Sequence, residues 1–131
     1  MKYSIDKQDD YSIFNLEEEN LNSVIAPQLK SEFIFLRNEG VPNLVLDMEG
    51  VKYVDSSGLS AILTANRLWK DTGVFVMTGI DNAGVQRIIE ISRLHTILNI
   101  TKDIDEAVEL IRETANNKTE TEQSNDSSSD Q

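Results

Sequence analysis

The chain reads as an α/β domain, with a mixed sheet of four or five strands and about four helices in the order β-β-α-β-α-β-α-β-α. Three observations predict it. The runs "NLVLDM" and "VFVMT" are short and apolar, as in strands covered on both faces. Longer stretches between them repeat apolar residues at three- and four-residue spacing, the mark of a one-sided helix. Strands that alternate with helices require crossover connections.

Each element follows in order. "KYSIDKQDDYSIFNL" predicts two short strands around the polar turn Lys7 to Asp10. In the second, Tyr11, Ile13 and Asn15 alternate with Ser12, Phe14 and Leu16, so both faces are partly covered. Ile25, Leu29, Phe33 and Leu36 fall on one face of a first helix, capped by Asn22 or Ser23, with Pro27 tolerated near its first turn. Gly40 and Pro42 end it. Asn43 to Met48 is the next strand. A helix from Leu59 to Lys70 follows, with Leu59, Ile62 and Leu63 inward and Leu68 and Trp69 a turn later. Asp71-Thr72-Gly73 stops it, and Val74 to Thr78 returns to the sheet. Asp81 or Asn82 caps a third helix with Val85, Ile88 and Ile89 inward. A short strand near Leu98 to Ile100 precedes the last helix. There Asp103 and Glu106 stand at capping-box spacing, and Ile104, Ala107, Val108 and Ile111 form the apolar stripe.

The 131 residues fit one domain, residues 1–115, able to bury roughly two-thirds of its surface. The last 16, "NNKTETEQSNDSSSDQ" (116–131), contain no apolar residue and predict a disordered acidic tail, read as a solubilising end. Twelve basic against 23 acidic residues give a net charge of −11, which argues against nucleic acid and anionic membrane surfaces. The absence of cysteine excludes disulfides and thiolate chemistry and fits a cytoplasmic protein. The N-terminal stretch has no signal-peptide run, and no segment approaches the ~18 apolar residues of a membrane span.

The junction "YVDSSGLSAIL" concentrates the chemistry. Asp55, Ser56 and Ser57 are all good N-cap types, yet a helix needs only one cap. Gly58 lets a partner or a neighbouring loop approach the backbone. A helix N-terminus tolerates phosphate. Asp-Ser-Ser-Gly is also an ordinary turn composition, so physics alone implies only that Ser56 is exposed at an edge of the sheet. Nucleophilic catalysis finds little support. His95 is the single histidine and reads as a turn residue, and V-D-S-S-G is not the G-x-S-x-G elbow. "GIDNAG" lacks nucleotide-loop spacing and reads as a strand-to-helix turn. Glu17-Glu18-Glu19 reads as solvated surface, and no metal-ligand spacing or cofactor motif emerges.

"LVLDMEGVKYVDSSGLSAIL" resembles the central segment of STAS domains, most closely the bacterial anti-sigma factor antagonists. The resemblance runs from about Tyr3 to Ile111 and includes "VFVMTGIDNAGVQRIIEISRL" and the closing "DIDEAVELI". It implies a non-enzymatic partner switch. Ser56 is the phosphate acceptor, Ser57 its hydroxyl neighbour and Asp55 the preceding acid. Asn22, Asp55, Ser56, Ser57, Gly58 and Leu59 form the partner surface. The kinase is the anti-sigma factor itself, a serine kinase of the histidine-kinase-like ATPase class. The unmodified antagonist binds it and frees a sigma factor, and a PP2C-type phosphatase resets the phosphorylated form. Two positions depart from the family. "EENLN" lacks the glycine of the usual G-x-[LI]-[DN] turn, and Arg93 stands where many members have glycine. The alternative is an unphosphorylated STAS subunit of a lipid-transport ATPase or a signalling scaffold. An enzyme is the third reading.

Overall fold

The computed structural model describes residues 1–117 with their side chains, and beyond them only the helical path of the last helix. The elements are β1 (Tyr3–Lys7), β2 (Ser12–Leu16), β3 (Asn20–Leu21), α1 (Ala26–Asn38), β4 (Leu44–Asp47), β5 (Tyr53–Val54), α2 (Ser56–Trp69), β6 (Phe75–Thr78), α3 (Ala83–Ile91), β7 (Asn99–Thr101) and α4 (Ile104–Ser129). One 3₁₀ turn, Leu94–Thr96, links α3 to β7. The expected tail, 116–131, lies almost wholly outside the fully described residues and stands as an expectation.

The main sheet has five strands in the order β1-β2-β4-β6-β7. β1 runs antiparallel to β2, and the other pairs are parallel. This is the mixed sheet and element order expected. The apolar strands are two-sided because the sheet is covered twice. Phe14, Leu16, Leu44, Leu46, Phe75 and Met77 face one core with α1, α2 and α3. Ile13, Val45, Val74 and Val76 face the other side, where Ala107 and Ile111 of α4 close over them. Every second residue of a strand therefore meets a different helix layer.

The two-residue strands β3 and β5 pair in parallel as a separate small sheet, Asn20 opposite Tyr53 and Leu21 opposite Val54. No periodicity can show in two residues, so the sequence did not reveal them. β3 leaves the carboxyl end of β2, and β5 leaves that of β4. They bring the starts of α1 and α2 together at that end of the sheet.

Three local expectations need correction. α1 is not capped by Asn22 or Ser23; its N-cap is Ile25, without a side-chain hydrogen bond. A capping oxygen serves the second or third N–H of a helix, and the second residue here is Pro27, which has none. Asn22 instead closes the preceding turn, its Oδ1 accepting from Val24 N at 3.0 Å and its carbonyl from Ala26 N at 2.9 Å. α2 begins at Ser56, three residues before the expected Leu59, because Asp55 is its cap. Its buried stripe is Gly58, Ala61, Ile62, Ala65 and Trp69, so Leu59 and Leu63 sit half-buried at the margin. In α3, likewise, Val85 and Ile89 are buried while Ile88 is half-buried. The last helix carries its capping box as expected, with Asp103 Oδ1 accepting from Glu106 N at 2.9 Å; the Glu106 carboxylate reaches one residue further back, to Lys102 N.

Arg93 has φ 58° and ψ 23°, the left-handed region, and is the one non-glycine residue with positive φ among those described. That conformation costs an L-residue roughly 1–2 kcal/mol, whereas glycine adopts it without steric strain. Glycine offsets part of the gain through its greater freedom when unfolded. Arg93→Gly should therefore stabilise the fold by about 0.5–1 kcal/mol, read as a higher urea midpoint at unchanged m-value. A lower midpoint would show that the arginine side chain outweighs its backbone strain. The missing glycine of "EENLN" has no such consequence, since Glu19 does not take a positive φ.

Candidate functional site

Asp55 organises the junction. It takes an extended conformation, and its Oδ1 accepts from Gly58 N at 2.9 Å, the standard reach of an N-cap. Its other oxygen, Oδ2, accepts from Ser23 N at 3.2 Å in the loop after β3. Its own backbone N–H donates to Leu21 O at 3.2 Å. One side chain thus ties the start of α2 to the approach to α1. Both carboxylate oxygens are engaged, so Asp55 serves as a structural clamp.

Gly58 explains how close the two elements come. A Cβ on this residue would lie 2.5 Å from Leu21 O and 2.9 Å from a methyl of Val54. A backbone oxygen cannot step aside as a flexible side chain can, so only glycine permits this packing. Gly58 is buried, and its closest neighbour is the chain's own β3. Of the two uses of this glycine weighed from sequence, the neighbouring loop is the one realised in the fold.

With Asp55 as cap, Ser56 and Ser57 become the first two helical residues. Ser56 is exposed, and Ser57 is half-buried. Asn22, Asp55 and Leu59 are also half-buried. The sequence-predicted residues therefore gather at one place, but not in one role. Ser56 faces solvent, Ser57 and Leu59 flank it, and Asn22, Asp55 and Gly58 hold the local backbone.

Other residues join them. Between the N-terminal ends of α1 and α2 lies a shallow groove of about 240 Å3, with Ser23, Lys30, Ser56, Ser57 and Ser60 as its polar lining and Pro27 at its wall. Beside it, Val24 is 81% exposed, in the turn that Asn22 closes. Sequence reasoning missed Val24 and Lys30. Val24 had a signal: it is an apolar residue directly after the polar pair Asn22-Ser23 and outside the Leu29, Phe33, Leu36 stripe. Lys30 had none, since only the packing of α1 on α2 brings it to the serines.

His95 lines a different groove, with α3, β7 and Leu110 of α4. The lining around Ser56 contains no histidine; its one ionisable side chain is Lys30. Among the described residues no cluster of three or more His, Cys, Asp or Glu is placed to hold a metal ion. No helix among them is long and apolar enough to cross a membrane.

Asp55→Ala removes two hydrogen bonds that hold the junction. Loss of an N-cap costs about 1 kcal/mol, and the second bond adds about as much. The variant should lose about 1–2 kcal/mol in chemical denaturation, with amide exchange accelerating first at Ser23 and Gly58. Unchanged exchange at both would contradict the clamp.

Comparison with known proteins places this geometry. A family model described as the STAS domain matches residues 2–107. A Thermotoga maritima protein assigned as an anti-sigma factor antagonist superposes with a TM-score of 0.73 at 26% identity, over 84% of this chain and 94% of that one. An anti-sigma factor antagonist from Mycobacterium paratuberculosis gives 0.74 at 23% identity, over 85% and 93% of the respective chains. The Bacillus cell fate determinant SpoIIAA, in its phosphorylated form, gives 0.63 at 15% identity, over 84% and 99%. The match spans the whole five-stranded sheet and the serine junction that opens α2, and by it the chain belongs to the STAS domain family.

Proposed function

We propose that this protein is an anti-sigma factor antagonist, a cytoplasmic binding protein rather than an enzyme, switched by phosphorylation of Ser56. Its unmodified form binds an anti-sigma factor that is also a serine kinase of the histidine-kinase-like ATPase class, and so frees a sigma factor. The observation that carries this reading is the exposed hydroxyl of Ser56, on the first residue of a helix whose cap, Asp55, and third residue, Gly58, are fixed from behind. A kinase can reach Ser56 without disturbing the fold. The Thermotoga neighbour, at 26% identity, supports the antagonist role.

In the transfer, Ser56 Oγ forms a bond to the γ-phosphorus of ATP. The bond from that phosphorus to the bridging oxygen breaks, ADP leaves, and the hydroxyl proton passes to a base on the kinase. The product bears a charge of about −1.5 to −2 at the N-terminus of α2, where it is tolerated. A PP2C-type phosphatase returns the hydroxyl by hydrolysis.

The test is to incubate the protein with the ATPase that co-purifies with it and with ATP, and to map the phosphate by mass spectrometry. Phosphate on Ser56, abolished in Ser56→Ala while binding persists, supports the switch. Phosphate on Ser57 alone moves the acceptor by one residue. A tight transporter-ATPase partner with no phosphate on either serine overturns the reading in favour of a transport subunit.

A further inference from the structure

The groove beside Ser56 contains one cation. Lys30 lies on α1, one turn after Ala26, and is half-buried where α1 approaches the start of α2. Neither ion pair found among the described residues involves it; those are Lys7 with Glu39 and Lys52 with Glu19. The rest of the polar lining is hydroxyl: Ser23, Ser57 and Ser60 with Ser56 itself. In a chain of net charge −11, a lysine facing a serine cluster is a local reversal of sign.

We propose that Lys30 is the charge partner of the phosphate on Ser56, holding it in the groove between α1 and α2. This rests on the phosphorylation of Ser56 argued above and assigns the phosphate a resting place. The groove, at about 240 Å3, has room for a phosphoryl group. An ammonium group with three donors and a flexible stem suits an acceptor whose position is set by a serine rotamer. Held there, the phosphate covers the strip that a partner would use, between Val24 and the start of α2.

Two favourable groups and one unfavourable group face the phosphate. Lys30 faces it from α1 and favours the dianion. The N-terminus of α2 acts in the same direction. Asp55 opposes both, but its two oxygens already accept from Gly58 N and Ser23 N, which spreads its charge. A phosphoserine ordinarily loses its second proton near pH 6, and a cation close by lowers that value. Lys30 thereby keeps the phosphate doubly charged as the medium acidifies.

The experiment uses the full chain with phosphoserine installed at position 56 by genetic encoding, followed by 31P NMR through a pH titration. Lys30→Gln should raise the pKa of the phosphate by about 0.5 unit or more, and Lys30→Arg should leave it close to the wild-type value. Indistinguishable titrations for the wild-type and Lys30→Gln proteins would overturn the proposal. So would a shift that Lys30→Arg fails to restore, since that change would come from packing and not from charge. The phosphate is installed rather than added by a kinase, so this titration reads Lys30 whatever the kinase assay returns. Failure of that assay alone would remove the switch and leave the ion pair measurable.

Discussion

The phosphorylated protein should bind its kinase partner at least about a hundredfold more weakly than the unmodified one. In the free protein Ser56 is exposed, so its phosphate keeps most of its water. Docking over the start of α2 removes that water. One lysine offsets only part of the phosphate's charge of about −1.5 to −2; burying the remainder without a matched partner costs several kcal/mol, and each 1.4 kcal/mol is tenfold in affinity. Two decades are therefore a lower expectation. The fold should not change, because the N-terminus of α2 accepts negative charge and the clamp at Asp55 lies behind the serine. Titration calorimetry on both forms, with far-UV circular dichroism as the control for folding, separates these effects. Ser56→Glu should weaken binding by less, since it carries one charge and lacks the phosphate's geometry. Equal affinity for the phosphorylated and unmodified forms would remove Ser56 from the interface.

The sheet and the order of helices were legible because the parallel strands are buried on both faces. Runs such as "VFVMT" are too short for a buried helix and are flanked by Gly73 and Gly79, and the helices between the strands are long enough to show their period. The serine junction was legible as chemistry but not as geometry. Asp55, Ser56 and Ser57 are equivalent as caps in isolation. What selects Asp55 is its second oxygen, which reaches Ser23 in a loop 32 residues away. A non-local bond of that kind leaves no mark on local propensity. The same limit hid Lys30, which meets the serines only through the packing of α1 against α2. It also explains the shifted face of α2. Hydrophobicity favours Leu59 and Leu63 as inward residues, but small residues allow closer approach. Gly58, Ala61 and Ala65 are buried in their place, and the leucines line the margin.

Ile62→Ala should lower stability by roughly 2–5 kcal/mol, the range for truncating a large buried aliphatic residue. Ile62 is fully buried in the core that α1, α2 and α3 form over the sheet. On α2 it lies beside the small buried residues Gly58, Ala61 and Ala65, with Leu59 and Leu63 half-buried at the margin of the same core. A small domain has only about 5–15 kcal/mol in total, so the melting temperature should fall by ten degrees or more on the scale of roughly 4–8 °C per kcal/mol. Leu59→Ala and Leu63→Ala serve as comparisons within the same helix. Both residues are half-buried and should cost much less than Ile62→Ala. The order of the three effects tests the rotation of α2 directly. If Leu59 proved as costly as Ile62, the helix would have to turn, moving Ser56 relative to the groove with Lys30. Ile62→Ala also loosens the element that presents Ser56 without touching the serine. Phosphorylation in that variant should persist at temperatures below its own melting point. Loss of phosphorylation while it remains folded would show that the kinase reads the rigidity of α2 as well as the serine at its start.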